Sequence, residues 1–192
     1  MADTKQLILV AARRCLVEEG YGSLSTRRIA EAAGVRPGHL HYHFGSKRNL
    51  VLAVLAEENA RLLERQSQMY GDSVPLWKQW EQACDFLDDD LRSGYVRVLH
   101  EMTAAGWSDS EVAAAVRTFL QGWFELLTAV ARRVEARLGS LGPFTAEEVG
   151  TLVGDAFLGA ETMLLLGVRD SDVPHRSALR RVGAWIRELE ER

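Results

Sequence analysis

Apolar positions recur at steps of three and four along almost all of the 192 residues. That is the spacing of amphipathic helices, not the alternation of strands. Leu7, Ile8, Ala11, Ala12, Cys15 and Leu16 form the first stripe, and Glu19-Gly20 predicts its C-terminal stop. A short helix is expected from about Thr26 to Ala33, stopping at Gly34, and another starts near Pro37. A long one runs from Ser46 to about Tyr70, followed by a break at Gly71-Asp72-Ser73. Pro75 suits the first turn of the next helix, whose face carries Leu76, Trp80, Ala83, Leu87 and Leu91. After Ser93-Gly94, a helix from about Tyr95 to Ala105 ends at Gly106. Ser108 with Glu111 reads as a capping box. It opens a stripe of Val112, Val116, Phe119, Trp123, Leu126, Leu127, Val130, Val134 and Leu138 that closes at Gly139. Gly142-Pro143 is a loop. Thr145 with Glu148 is a second capping box, opening a helix to about Gly167. A polar turn from Arg169 to His175 leads to a last helix with Leu179, Val182, Ile186 and Leu189. The pattern predicts an all-α chain of about nine helices.

Composition narrows the class. Apolar residues make up 47% and charged residues 26%, ordinary globular usage. The apolar runs Leu7 to Ala12 and Met163 to Leu166 fall far short of the ~18 residues of a membrane span. A soluble cytoplasmic protein without a signal peptide is expected. Two cysteines, Cys15 and Cys84, give no disulfide framework and no cysteine-rich zinc pattern; both read as packing residues. Charge changes the picture more. The net charge is −4, yet residues 1–50 hold eight Lys/Arg against four Asp/Glu, and the remainder holds 15 against 23. A basic end on an acidic protein suits contact with a polyanion at that end.

Residues 26–44 read TRRIAEAAGVRPGHLHYHF. Two short helices around a glycine turn are the requirement of a helix-turn-helix. Ala30 must be small where the second helix crosses, and Gly34 falls where the turn needs positive φ. Ile29, Val35 and Leu40 are the apolar pegs, and Gly38 allows close backbone approach. The face left exposed over residues 36–43 carries Arg36, His39, Tyr42 and His43, with His41 nearby. Such donors and aromatics reach phosphates and base edges. Tyr42 and Phe44 also fit plain packing. His39-x-His41-x-His43 would line one face of a strand and suit zinc. In a helix only His39 and His43 share a face, so no metal site is expected.

Residues 4–55 resemble the N-terminal DNA-binding domain of the TetR family of transcriptional regulators. The matching elements are Ile8-x-x-Ala11-Ala12, Glu19-Gly20-Tyr21, Ser25-Thr26, Ile29-Ala30 and Ala33-Gly34-Val35. They continue through Gly38, Leu40, His43-Phe44, Ser46-Lys47 and Leu50. The resemblance implies phosphate contacts from Thr26 and Lys47, and backbone or base contacts from Tyr42 and His43. His41 stands where the family usually has tyrosine. Arg36 replaces the usual serine or threonine, losing an N-cap acceptor worth ~1 kcal/mol; Pro37 then fits the first helical position. Arg48 departs from the common acidic residue and adds positive charge. One of Arg27 and Arg28 is expected on DNA. The DNA-binding set is therefore Thr26, Arg27, Arg36, Pro37, Gly38, His39, His41, Tyr42, His43 and Lys47 within a domain of residues 2–62.

Beyond residue 62 there is no phosphate-cradling glycine loop, His-Glu-x-x-His or nucleophile elbow, so neither an enzyme nor a cofactor is expected. Residues 63–192 are rich in large apolar and aromatic side chains, which are either core or the lining of an apolar cavity. The resemblance implies an effector pocket, assigned to Trp80, His100, Glu101, Met102, Trp107, Phe119, Trp123, Phe157 and Glu161. It also implies a homodimer through the last two helices, assigned to Ala156, Gly159, Ala160, Met163, Leu179, Val182, Trp185, Ile186 and Leu189. The expectation is a repressor that binds a palindromic DNA operator as a dimer and is released by a small, largely apolar effector. The alternatives are a dimeric DNA-binding regulator without an effector, and a helical ligand carrier or enzyme.

Overall fold

The computed structural model of the chain describes residues 3–70 and 74–191. Among these are nine helices and no strand: α1 (Thr4–Ser23), α2 (Thr26–Ala33), α3 (Pro37–Phe44), α4 (Lys47–Met69), α5 (Leu76–Ser93), α6 (Tyr95–Gly106), α7 (Ser110–Leu138), α8 (Ala146–Leu165) and α9 (His175–Glu190). The break expected at Gly71-Asp72-Ser73 lies outside the described residues. No helix among those described is long and apolar enough to cross a membrane.

The helix ends show which local signals acted. Asp3 caps α1, accepting from Lys5 N–H at 3.1 Å. Ser25 caps α2 through Arg28 N–H at 3.1 Å. The expected stop of α1 at Gly20 is a kink instead: the backbone leaves helical geometry there, then returns to it as far as Ser23. At Gly34 the left-handed conformation (φ 67°) closes α2, as the turn requires. The Thr145–Glu148 capping box forms in full at the start of α8.

The box expected from Ser108 is corrected. Asp109 is the residue immediately before α7, and its Oδ1 accepts the N–H of Glu111 (3.0 Å) and Val112 (3.3 Å). An ionised carboxylate also suits the positive end of the helix better than a hydroxyl does. Two other helix starts are capped from a distance in sequence. Glu190 accepts the N–H of Leu76 and Trp77, both at 3.0 Å, and Asp170 accepts those of Arg176 and Ser177, both at 3.0 Å.

The chain forms two compact units. The first is Met1–Arg61 with Gly94–Phe119. Its core holds Ile8, Leu16, Ile29, Leu40, Leu50, Val51, Val96, Val98, Met102 and Val112, each under 2% exposed. α2 and α3 pack on α1, which also packs on α6. The second unit is Leu62–Ser93 with Leu120–Arg192. Here α5 packs on α9 and α8. The Trp80 indole meets Phe157 edge-on at 5.7 Å and donates to the Leu179 carbonyl at 2.6 Å. Arg176 and Arg180 of α9 pair with Asp88 (2.7 Å) and Asp85 (2.8 Å) of α5. Ala131 is buried on α7, whereas Leu138, expected at the end of its apolar stripe, is 48% exposed in the last turn.

Candidate nucleic-acid interface

α3 is built to be held from one side. Leu40 and Phe44, one turn apart, are 1% and 9% exposed. Between them Tyr42 is 84% exposed and meets His43 edge-on at 5.1 Å. Arg36, Pro37, Gly38, His39 and His41 are exposed and His43 half-buried. Arg36 stands at the N-cap without a side-chain capping bond, and Pro37 takes the first helical position. A Cβ on Gly38 would meet nothing within 4 Å, so its own chain does not require glycine there. On α2, Thr26 and Arg27 are exposed, while Ile29 and Ala30 are buried. Val35 is a half-buried peg.

Several cations of this basic end are engaged inside it. Arg28 pairs with Glu19 at 2.7 Å; this hydrogen bond raises its pKa further. Arg14 donates to the Ala32 carbonyl at 3.2 Å. Lys47, expected at a phosphate, directs Nζ to the carbonyls of Tyr21 (3.0 Å) and Leu24 (2.9 Å), over the Tyr21 ring at 4.6 Å. Two of its three donors are thus used within the chain. Arg48 does not add free charge either: it pairs with Asp109 (3.1 Å) and Glu111 (3.2 Å). Asp109 is held below the usual carboxylate range, first by the Val112 N–H and then, against some desolvation, by Arg48. This clasp is invisible to local sequence signals, because its partners lie 61 residues apart. Among the described residues no group of three or more His, Cys, Asp or Glu is arranged to hold a metal ion.

The residues assigned to an effector divide between the units. His100, Glu101, Met102, Trp107 and Phe119 belong to the first; Trp80, Trp123, Phe157 and Glu161 belong to the second. Trp107 is 84% exposed, in the turn after α6, so it does not wall an enclosed cavity. Met102 is fully buried, and Phe119 packs edge-on against Tyr95 at 6.4 Å. The Glu101 carboxylate accepts the Tyr21 N–H at 3.1 Å. In the second unit, Trp123 donates to Gln66 Oε1 at 2.9 Å, and Glu161 is buried on α8.

Of the residues expected at a dimer interface, Ala160 and Leu179 are corrected to core: they are 4% and 7% exposed, and the Leu179 carbonyl receives the Trp80 N–H. Ala156, Gly159, Met163, Val182 and Trp185 are exposed, and Ile186 and Leu189 are half-buried. Trp185 is 60% exposed and Leu166 74%. Both cysteines are buried; burial pushes the Cys84 thiol up to about 11, which disfavours a reactive thiolate.

A helix pair joined by a glycine turn, with one face of its second helix buried and the other bare, is a helix-turn-helix. Residues 8–54 match the family described as bacterial regulatory proteins, tetR family. Over 62 residues the chain is 45% identical to the HTH-type transcriptional repressor AcnR of Corynebacterium glutamicum, covering 32% of this chain and 33% of that protein. The match thus spans about a third of that relative's length. An HTH-type transcriptional repressor of Mycobacterium tuberculosis is 27% identical over 147 residues, 72% of this chain and 66% of that one. A TetR-family transcriptional regulator structure from Rhodococcus superimposes with TM-score 0.78 at 18% identity, covering 97% and 99% of the two chains; this extends the likeness of fold beyond the first helices. Residues 8–54 thus carry the helix-turn-helix of the tetR family, and the described residues share the fold of TetR-family structures.

Proposed function

We propose that this protein is a transcriptional regulator, acting as a repressor, that lays α3 in the major groove of duplex DNA. The division of α3 carries this reading: Leu40 and Phe44 anchor it, while Tyr42 is 84% exposed on the free side. Arg36, Gly38, His39 and His41 extend that surface, and Thr26 and Arg27 flank it from α2. Cations and hydroxyls of this kind fix a protein on phosphates, and the recognition helix reads base edges. AcnR and the Mycobacterium tuberculosis relative are named as transcriptional repressors, which supports the same reading.

The DNA-binding domain is residues 2–62, and residues 63–192 supply dimerisation and effector response in a cytoplasmic protein. Exposed apolar side chains on α8 and α9 (Leu152, Met163, Val182 and Trp185) favour a homodimer. A two-fold pair presents two recognition helices about one DNA turn, ~34 Å, apart to a palindrome. The aromatic content of the second unit, with Trp80 against Phe157 and Trp123 beside Phe124, suits release by a small apolar effector. Release requires that the effector bind the non-DNA conformation more tightly, since equal affinity shifts nothing.

The test is selection of duplexes from a random-sequence library, followed by titration of the selected duplex and its scrambled version. Preferred binding of a palindrome by a dimer is expected. Equal affinity for both duplexes would refute sequence recognition.

A further inference from the structure

Glu101 has a use inside the first unit that a ligand-pocket assignment leaves out. Its Oε2 accepts the Tyr21 N–H at 3.1 Å. Its Oε1 stands so close to Gly20 that a Cβ there would lie 2.8 Å away. Gly20 is the kink of α1 (φ 76°, ψ 165°), a backbone conformation that side chains rarely adopt. The carboxylate therefore occupies the space that the kink and the missing Cβ leave open. Arg97, one turn earlier on α6, stands 3.9 Å from Oε1.

The same segment is held from its other side by α4. Tyr21 and Leu24 give their carbonyls to Lys47 Nζ at 3.0 and 2.9 Å. Residues 20–24 thus have their amide side fixed by a carboxylate from α6 and their carbonyl side by an ammonium from α4. The next residue is Ser25, the N-cap of α2, from which the helix-turn-helix is built. The position of residues 20–24 sets where α2 starts.

We infer that Glu101 is a positioning residue for DNA recognition: it fixes the end of α1, and with it the aim of α2 and α3, without touching DNA. This rests on the DNA-binding reading above. A carboxylate that only stabilised the fold would change the melting temperature and nothing in how the folded protein discriminates between duplexes. A positioning residue changes discrimination. Displaced recognition helices lose base contacts, which demand close geometry, while the phosphate contacts that set non-specific affinity and salt dependence persist.

The test uses the full-length protein, a duplex selected by the wild type from a random-sequence library, and a scrambled duplex of the same composition. Glu101→Asp keeps the charge but is one methylene too short to reach Tyr21 N–H. Glu101→Gln keeps the reach and one acceptor oxygen but loses the charge. Folding is checked by circular dichroism and mass by light scattering. The Asp variant is expected to lose about tenfold in affinity for the selected duplex, with scrambled-duplex affinity and salt slope unchanged; the Gln variant is expected within about threefold of wild type. Such a tenfold change corresponds to about 1.4 kcal/mol. Glu101→Ala and Arg97→Ala should follow in the same direction, the latter more weakly. Wild-type discrimination in folded Glu101→Asp overturns the inference, even if its melting temperature falls. If wild type binds no duplex, the DNA-binding reading fails and the inference fails with it.

Discussion

Lys47→Met separates two uses of one side chain. If Lys47 braces the fold, its removal takes away two charge-assisted hydrogen bonds, at 3.0 and 2.9 Å, and a cation over the Tyr21 ring at 4.6 Å. Hydrogen bonds to charged groups contribute about 1.5–3 kcal/mol in favourable cases, and a partly exposed cation–π contact about 0.5–1 kcal/mol. Lys47 is only part-buried, so water recovers some of the carbonyl bonding that methionine cannot supply. A net loss of about 2–3 kcal/mol follows. Urea unfolding followed by circular dichroism reads it as a lower midpoint at unchanged slope. DNA titration reads the other use. A lysine that neutralises a phosphate contributes about 0.9 to the slope of log affinity against log salt. The structure predicts the stability loss with little change in that slope per subunit. Unchanged stability together with a slope reduced by about 0.9 per subunit would refute the bracing argument.

Three further outcomes are expected. Tyr42→Ala should reduce affinity for the selected duplex by roughly 1–3 kcal/mol with little effect on stability, because the ring is 84% exposed; wild-type affinity in a titration would remove it from the reading surface. Trp185→Asp, at a site 60% exposed in one subunit, should halve the mass seen by light scattering; an unchanged dimer would exclude this part of α9 as the interface. Asp109 is held below its ordinary value of 3.8, first by the Val112 N–H. Its contribution to stability is complete above that value and disappears as pH falls through the lowered folded value. The stability difference between wild type and Asp109→Asn should therefore shrink on acidification below about pH 4. A difference that is constant with pH would contradict the assignment.

Much of the fold was legible because its signals are local. Three-four spacing located the helices, Gly34 stopped α2 through its positive φ, and Thr145 with Glu148 built the expected box. The one-sided burial of α3 was legible for the same reason: Leu40 and Phe44 lie one turn apart, with polar residues between them. What escaped depends on partners distant in the chain. Nothing near Arg48 announces Asp109, and nothing near Pro75 announces that Glu190 will cap α5. Ser108 fitted a capping pattern, but the adjacent Asp109 competes for the same amides and carries a charge. Apolar spacing also cannot distinguish a surface that faces its own chain from one that faces another. Hence the pattern places Leu179 and Ala160 with Trp185, although the first two are core and Trp185 is exposed.

The central claim is that an exposed basic surface around α3, carried twice by a two-fold assembly, holds duplex DNA. The most direct test is the affinity of wild-type protein for its library-selected duplex between 50 and 200 mM salt. Counting only Arg27 and Arg36 from each subunit gives at least four neutralised phosphates, a slope near −3.6 and a fall of roughly 100-fold across that range. A salt-independent affinity, or no binding at the lowest salt, would contradict the account.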